Sequence, residues 1–239
     1  MILTAHQPTY LPWLGLFHKI ALADKFITYD HVQYQTDNWN HRNKIKTPQG
    51  DQWLTVSVSR RNHMNMTVKD MILLQEKSWE KKHWRTILQN YRKAPHFDRY
   101  ADFFEDVYSK KWDRLVGLND YMLQWFLKTL GINTPIQSAS SMGLNGKKNE
   151  LALDMCKKTG AQILIFGAQG VDYANVDTYL SIGCQPYFQN YKHPVYPQLY
   201  GDFISHLSII DLLFNCGDNS LEILMSGNET RQDLIKLIE

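Results

Sequence analysis

The hydrophobic pattern changes period twice before residue 30, and that switch constrains the fold more than any other feature. Residues 1–5 are a short apolar run that halts at His6, as a buried strand does when it reaches a polar edge. Leu14, Leu16, Phe17, Ile20 and Ala21 then recur at helical spacing as far as Asp24, and residues 25–29 return to a strand pattern. Strand, turn, helix, strand is a βαβ unit, whose strands run parallel. Ligands of such sheets bind outside the carboxyl ends of the strands. That rule places His6 and Gln7 at one strand end and Asp30 and Gln33 at the next.

The rest of the chain extends the pattern. Residues 35–50 are polar and without periodicity, which predicts a loop, whereas 53–59 alternate as a strand. A helix from Ser78 turns Trp79, Trp84, Ile87, Leu88 and Tyr91 inward and Lys81, Lys82, Arg85 and Arg92 outward, and Pro95 ends it. Helices are predicted over 97–109 and 112–130, the second closed by Gly131. Then follow a strand at 136–140, a helix at 148–158, a strand at 162–166 running into a glycine-rich turn, a last strand at 186–189, and helices at 209–214 and 221–225. The expected fold is α/β: a Rossmann-like parallel sheet in one domain over 1–239, with a mainly helical insertion at about 78–131.

Bulk properties narrow the function. A formal charge of +2 over 239 residues is too small for a dedicated duplex-DNA binder. Cys156, Cys184 and Cys216 are odd in number and contain no CxxC pair, which suggests neither a disulfide framework nor a metal site, and a reducing cytoplasm suits them. Cys156 and Cys216 lie on apolar stretches and read as core. No apolar run approaches the ~20 residues of a membrane span, and the opening run lacks the basic flank of a signal peptide. A soluble cytoplasmic protein is expected.

Polar residues gather in five places. In His6-Gln7-Pro8-Thr9-Tyr10-Leu11-Pro12-Trp13 the prolines stop the strand ladder, Gly15 permits close approach of a neighbour or ligand, and Lys19 follows on the helix. The helix opening near Leu14 has free N–H groups suited to an anion; the structural alternative is that His6 and Gln7 cap the strand and Trp13 is core. In residues 38–46, Arg42 can clamp a phosphate or carboxylate, Asn40 and Asn43 can read hydroxyls, and Lys44 adds charge, unless the stretch is a solvated loop. Residues 167–173 offer glycines that could cradle phosphate, or a plain strand-to-helix turn. His193 stands in a proline-held loop, predicted to be exposed and to titrate near neutrality as a general base, with Tyr196 and Gln198 able to hold a sugar or amide. Asp211 and Asn215 share a helix face, and a buried Asp211 needs a partner, for which Arg42, Lys44 or a histidine is the natural choice.

Three of these segments together resemble the signature of the WbqC-like family of bacterial proteins. They are His6 to Trp13, then Asn40-His41-Arg42-Asn43-Lys44-Ile45 with His41 where Asn is usual, and Ser208-Ile209-Ile210-Asp211-Leu212-Leu213-Phe214-Asn215-Cys216-Gly217. The resemblance spans nearly the whole chain. It implies a role near polysaccharide and O-antigen synthesis, and it places Tyr173, which follows the glycine-rich turn, on the wall of the site. The run from Pro12 to Lys19 is also similar to the strand-turn-helix of HUP-class nucleotidylyltransferases, with the second histidine displaced, which brings ATP or a nucleotide-linked donor into consideration.

These features predict a transferase that modifies an activated sugar or another small acceptor during surface-polysaccharide (O-antigen, lipopolysaccharide) synthesis, with a nucleotide-linked or acyl donor. His6 or His193 would be the acid–base and Gln7 and Asn43 would orient substrate. Lys19, Arg42 and Lys44 would neutralise a phosphate or carboxylate, and Tyr10, Trp13, Tyr173, Tyr196, Gln198 and Asp211 would complete the binding set. The alternative is a non-catalytic protein that binds a nucleotide sugar or a partner of the same pathway. A nucleic-acid binder working through Lys81, Lys82, Arg85, Arg92 and Lys93 fits the charge least.

Overall fold

The computed structural model describes residues 1–59, 65–75 and 78–239. Strand β1 (Ile2–His6) leads through the proline turn into helix α1 (Leu14–Leu22) and back to β2 (Lys25–Thr28). The two strands pair in parallel, Thr4 opposite Phe26 and His6 opposite Thr28. Next come β3 (Arg42–Thr47) and β4 (Gly50–Thr55), an antiparallel hairpin that forms a sheet of its own. Three helices follow, α2 (Trp79–Tyr91), α3 (Phe97–Ser109) and α4 (Leu115–Leu130), the last capped by Gly131 in the left-handed conformation. The chain then lays down β5 (Ile136–Ser138), α5 (Asn149–Thr159), β6 (Ile163–Phe166), α6 (Val176–Leu180) and β7 (Gln185–Phe188). It closes with α7 (Ile209–Cys216), α8 (Ser220–Met225) and α9 (Arg231–Ile235).

All five strands of the main sheet are parallel, in the order β5-β2-β1-β6-β7. The chain works outward from β1 through β2 to β5, then returns to fill the other side with β6 and β7. The direction of winding therefore reverses between β1 and β6. Both faces of the sheet are covered, which is why β6 is apolar at every position. On one face Leu3, Ile27 and Leu164 pack with Ala152 and Met155 of α5. On the other, Ile2, Ile163 and Ile165 pack with Leu22 and with Leu234 of α9. A third and larger core joins α1, the hairpin, α2 to α4 and α7, with Phe17, Ile45, Leu54, Tyr91, Phe104, Phe126 and Phe214 at its centre.

The hairpin departs from expectation. Residues 42–47 are strand rather than loop, and the second strand starts at Gly50 and stops at Thr55 instead of running over 53–59. The pattern hid this because the inward side of β3 includes Asn43, a buried amide where an apolar residue would have signalled a strand, while Arg42 and Lys44 occupy the outward side. Among the described residues no helix is long and apolar enough to cross a membrane.

Candidate functional site

The carboxyl ends of β1 and β2 hold a group of ionisable side chains in an environment that resists charge. The Lys19 ammonium, 2% exposed on α1, donates to the Ala5 carbonyl at 2.8 Å. Burial lowers its pKa to about 7. One residue beyond Ala5, the His6 ring places Nδ1 2.8 Å from the Gln7 carbonyl. A carbonyl only accepts, so Nδ1 carries the proton and Nε2 presents a lone pair. Burial, reinforced by the charge of Lys19, brings the His6 pKa down to about 3, so the ring is neutral at physiological pH. At the end of β2, Asp30 accepts hydrogen bonds from the backbone N–H of Ser140 at 2.9 Å and from its hydroxyl, and lies 3.8 Å from Nδ1 of His31. Asp120 of α4 faces the same region: burial, and then the charge of Asp30, push its carboxyl up to about 6.

The turn after β1 is held by the hairpin and by α7. Asn38 donates to the Gln7 side chain at 3.0 Å. Asn40 donates to the Pro8 carbonyl at 2.7 Å, and Asn43 donates to the Leu11 carbonyl while its own carbonyl accepts the Lys44 N–H at 2.8 Å. Leu11 sits at φ 44°, a left-handed conformation that a leucine adopts only when its surroundings impose it. Beyond it, the Ile209 N–H bonds the Pro12 carbonyl at 2.8 Å and the Ser208 N–H bonds the Lys44 carbonyl at 2.9 Å. Three segments remote in sequence, 7–13, 38–44 and 208–209, are thus tied into one backbone knot beside the strand end.

Those segments carry the motifs noted above, and a family model described as the WbqC-like protein family matches residues 7–223. The chain belongs to the WbqC-like family. It is also similar to "Uncharacterized protein Rv1507c" of Mycobacterium tuberculosis, 33% identical over 220 residues, which covers 91% of this chain and 95% of that protein. No solved structure matches it.

Other residues expected in the site of this WbqC-like protein are placed elsewhere. Tyr10 is fully buried, its hydroxyl 2.8 Å from Nδ1 of His83 and 2.6 Å from the Tyr108 hydroxyl, so it closes a core network and does not face a ligand. The first turn of α1 is covered by the indole of Trp13. A Cβ on Gly15 would lie 2.3 Å from that ring, so the glycine accommodates the tryptophan. Gly170 likewise makes room for Phe166, and the turn after β6 continues as a short 3-10 segment, Ala168–Asp172, with Tyr173 exposed beyond it.

His193 is half-buried, contrary to the exposed loop expected. Its Nδ1 bonds the Pro194 carbonyl at 3.0 Å, and its Nε2 is buried with no hydrogen bond among the described residues. Burial, with the charge of His206, holds its pKa below the ordinary value despite the bond to Pro194. Rings of Tyr191, Tyr196, Phe203 and His206 surround it, and His206 stacks in turn on Trp13 at 5.4 Å. No described contact joins His193 to His6.

Asp211 is fully buried, but among the described residues its side-chain hydrogen-bond donors are neither cations nor histidines. It accepts from the Tyr91 hydroxyl at 2.8 Å, the Tyr196 hydroxyl at 2.9 Å and the Gln198 amide at 2.8 Å. Arg42 and Lys44 cannot reach it because they face outward beside Trp53. Lys46 joins the network instead, its N–H bonding the Tyr91 hydroxyl at 2.8 Å and its ammonium the Gln198 carbonyl at 3.0 Å. Burial raises the Asp211 carboxyl to about 6, against the opposing pull of three donors. Tyr196 and Gln198 are therefore committed to Asp211. Sequence reasoning missed Asp120, Tyr91 and Lys46 as polar partners, because a helix pattern marks which residues are inside without marking which carboxylate a buried hydroxyl will meet.

Proposed function

We propose that this protein is a transferase acting on an activated sugar or another small acceptor in bacterial surface-polysaccharide synthesis, and that the reaction takes place at the carboxyl ends of β1 and β2. The observation that carries this reading is the gathering of His6, Lys19, Asp30 and Asp120 about the ends of two paired parallel strands. Burial displaces the equilibria of His6, Lys19 and Asp120, and it brings Lys19 to about 7 and Asp120 to about 6, near the pH at which acid–base chemistry would run. The strand order also supports it. Winding reverses between β1 and β6, so the β1 end that carries His6 would border the crevice where nucleotides bind in open parallel sheets, in keeping with a Rossmann-like reading.

In this mechanism His6 Nε2 takes the proton of an acceptor hydroxyl as that oxygen bonds to the transferred carbon of the donor. For a sugar donor the bond from that carbon to its nucleoside diphosphate breaks as the new bond forms, and for an acyl donor the carbon–sulfur bond breaks after addition to the carbonyl; in either case the electron pair leaves with the departing group. Lys19, when protonated, balances negative charge on that group, Gln7 is oriented by Asn38, and Asp30 with Asp120 binds sugar hydroxyls. A thermal-shift screen against nucleotide sugars, ATP and acyl thioesters identifies the donor, since a ligand at ~100 times its Kd stabilises by ~2.7 kcal/mol. With that donor in hand, His6→Ala is expected to bind it while turnover falls ~100-fold or more. Full turnover in His6→Ala and Asp120→Asn moves the reaction away from this strand end, and binding without turnover in the native chain replaces the transferase with a carrier of the same ligand.

A further inference from the structure

Trp53 of β4 and Trp39, just before β3, form an exposed pair that core packing does not explain. Trp39 and Trp53 are 42% and 41% exposed, with ring centroids 5.2 Å apart and planes inclined by 35°. The Arg42 guanidinium lies 4.8 Å from the Trp53 ring centre and the Lys44 ammonium 5.1 Å from it. These cations differ in what they have left to give. Lys44 is ion-paired with Asp51. Arg42 donates one hydrogen bond, 3.0 Å to the Asp37 carbonyl, and has no carboxylate partner among the described residues. The patch therefore presents aromatic surface beside one uncompensated guanidinium.

Two neighbours give the patch direction. Asn38 donates to Gln7 and accepts from the Trp39 N–H at 2.7 Å, so a single side chain separates the tryptophans from the β1 strand end. On the other flank Thr55, which pairs with Arg42 across the hairpin, lines a cleft of about 430 Å³ together with Tyr34, Thr36, His41 and Ser57. That volume falls in the range of small-ligand sites, ~300–1,000 Å³.

We propose that Trp39, Trp53 and Arg42 form a subsite for an anionic saccharide. A pyranose ring would rest its C–H face on the indoles, whose negative π faces attract it. A carboxylate or phosphate on that sugar would take the free donors of Arg42 in the paired geometry that guanidinium favours. Charge complementarity selects this ligand. A neutral glycan leaves Arg42 unanswered, and a nucleic-acid strand needs a track of cations, where this hairpin offers one that is uncommitted. The choice of a saccharide rests on the reading of the strand end as a sugar-handling site. The subsite extends that reading by assigning the acceptor its anionic group and its route across Trp39 toward Gln7.

Fluorescence titration of the full chain with tetragalacturonate tests this, with cellotetraose as the neutral counterpart and oligo(dT) as the nucleic-acid counterpart. Saturable quenching by tetragalacturonate is expected, with affinity at least tenfold above that for cellotetraose. Trp53→Ala and Trp39→Ala should each weaken it at least tenfold, and Arg42→Gln should erase the preference for the anionic ligand. Melting temperatures of the three variants within a few degrees of native exclude unfolding as the cause. His6→Ala should leave the titration unchanged, so undiminished transfer in that variant with retained tetragalacturonate binding speaks against the proposed reaction and not against the subsite. Absence of binding, equal binding by native and double-tryptophan variants, or tighter binding of oligo(dT) overturns the subsite.

Discussion

Tyr91 and Tyr196 both donate to Asp211, and replacing each by phenylalanine separates a hydroxyl that serves one partner from a hydroxyl that serves two. In Tyr196→Phe, Asp211 keeps the Tyr91 and Gln198 donors, and Oδ2 keeps the Gln198 amide at 2.8 Å. The loss is one hydrogen bond to a charged acceptor, ~1.5 kcal/mol. In Tyr91→Phe, Oδ1 of Asp211 loses its donor, and the Lys46 N–H, which bonded the same hydroxyl at 2.8 Å, is left unpaired among buried groups. A buried unsatisfied donor adds ~1–3 kcal/mol, which brings the total to ~2.5–4.5 kcal/mol. For a chain of this size each kcal/mol moves the melting temperature by ~2–4 °C, so Tyr91→Phe should melt roughly 5–18 °C below native and Tyr196→Phe roughly 3–6 °C below. Urea unfolding followed by tryptophan fluorescence gives the free energies directly, provided the m-value is unchanged. Equal losses in the two variants, or a Tyr91→Phe loss under ~1 kcal/mol, would refute the idea that this hydroxyl bridges β3 to α7.

Two further expectations follow from the site. Lys19 is buried without an acidic partner among the described residues, and its pKa falls from 10.5 to about 7. The stability this group contributes is fully present above pH 10.5 and is lost as pH falls toward about 7, because the unfolded chain binds the proton more tightly. At ~1.36 kcal/mol per pH unit the difference is on the order of 5 kcal/mol. Lys19→Met should therefore gain on the native chain between pH 10 and pH 7 in urea midpoints, and a difference that is flat with pH contradicts the burial of a weakened ammonium. Asn43→Ala removes the amide that bonds the Leu11 carbonyl and the Lys44 N–H, at a cost of ~2–4 kcal/mol. It should also loosen the proline turn, read as faster hydrogen exchange at Ile209, whose N–H bonds Pro12; unchanged exchange there would show that the turn holds without it.

How far the sequence revealed this arrangement depends on the kind of signal each part leaves. Strand β1 and its polar end were legible because an apolar run that stops at a histidine and two prolines has few other readings. The parallel pairing followed from the short helix between two strands. The hairpin was not legible, because a strand that buries an asparagine breaks the alternation by which strands are recognised, and Asn43 earns its interior place through bonds to backbone groups 32 and 1 residues away. Asp120 was silent for a different reason. It lies 90 positions from Asp30, inside a helix whose pattern concerns packing, and its perturbation comes from burial and from Asp30's field. Asp211 was half legible: its helix pattern marked it as buried, but the hydroxyls that satisfy it came from residues read as packing or as ligand contacts.

The same distinction divides the family motifs by what their polar atoms have left to offer. Asn43 and Asp211 are satisfied internally, and they fix the backbone knot that holds the turn after β1. His6 Nε2 makes no hydrogen bond among the described residues, and the guanidinium of Arg42 makes a single one to a carbonyl. A substrate can use only atoms that the fold has not already used. The reacting group and the acceptor's anchor are therefore best sought at His6 and Arg42, whereas substitutions at Asp211 should act on stability and leave the intrinsic activity of the folded fraction intact.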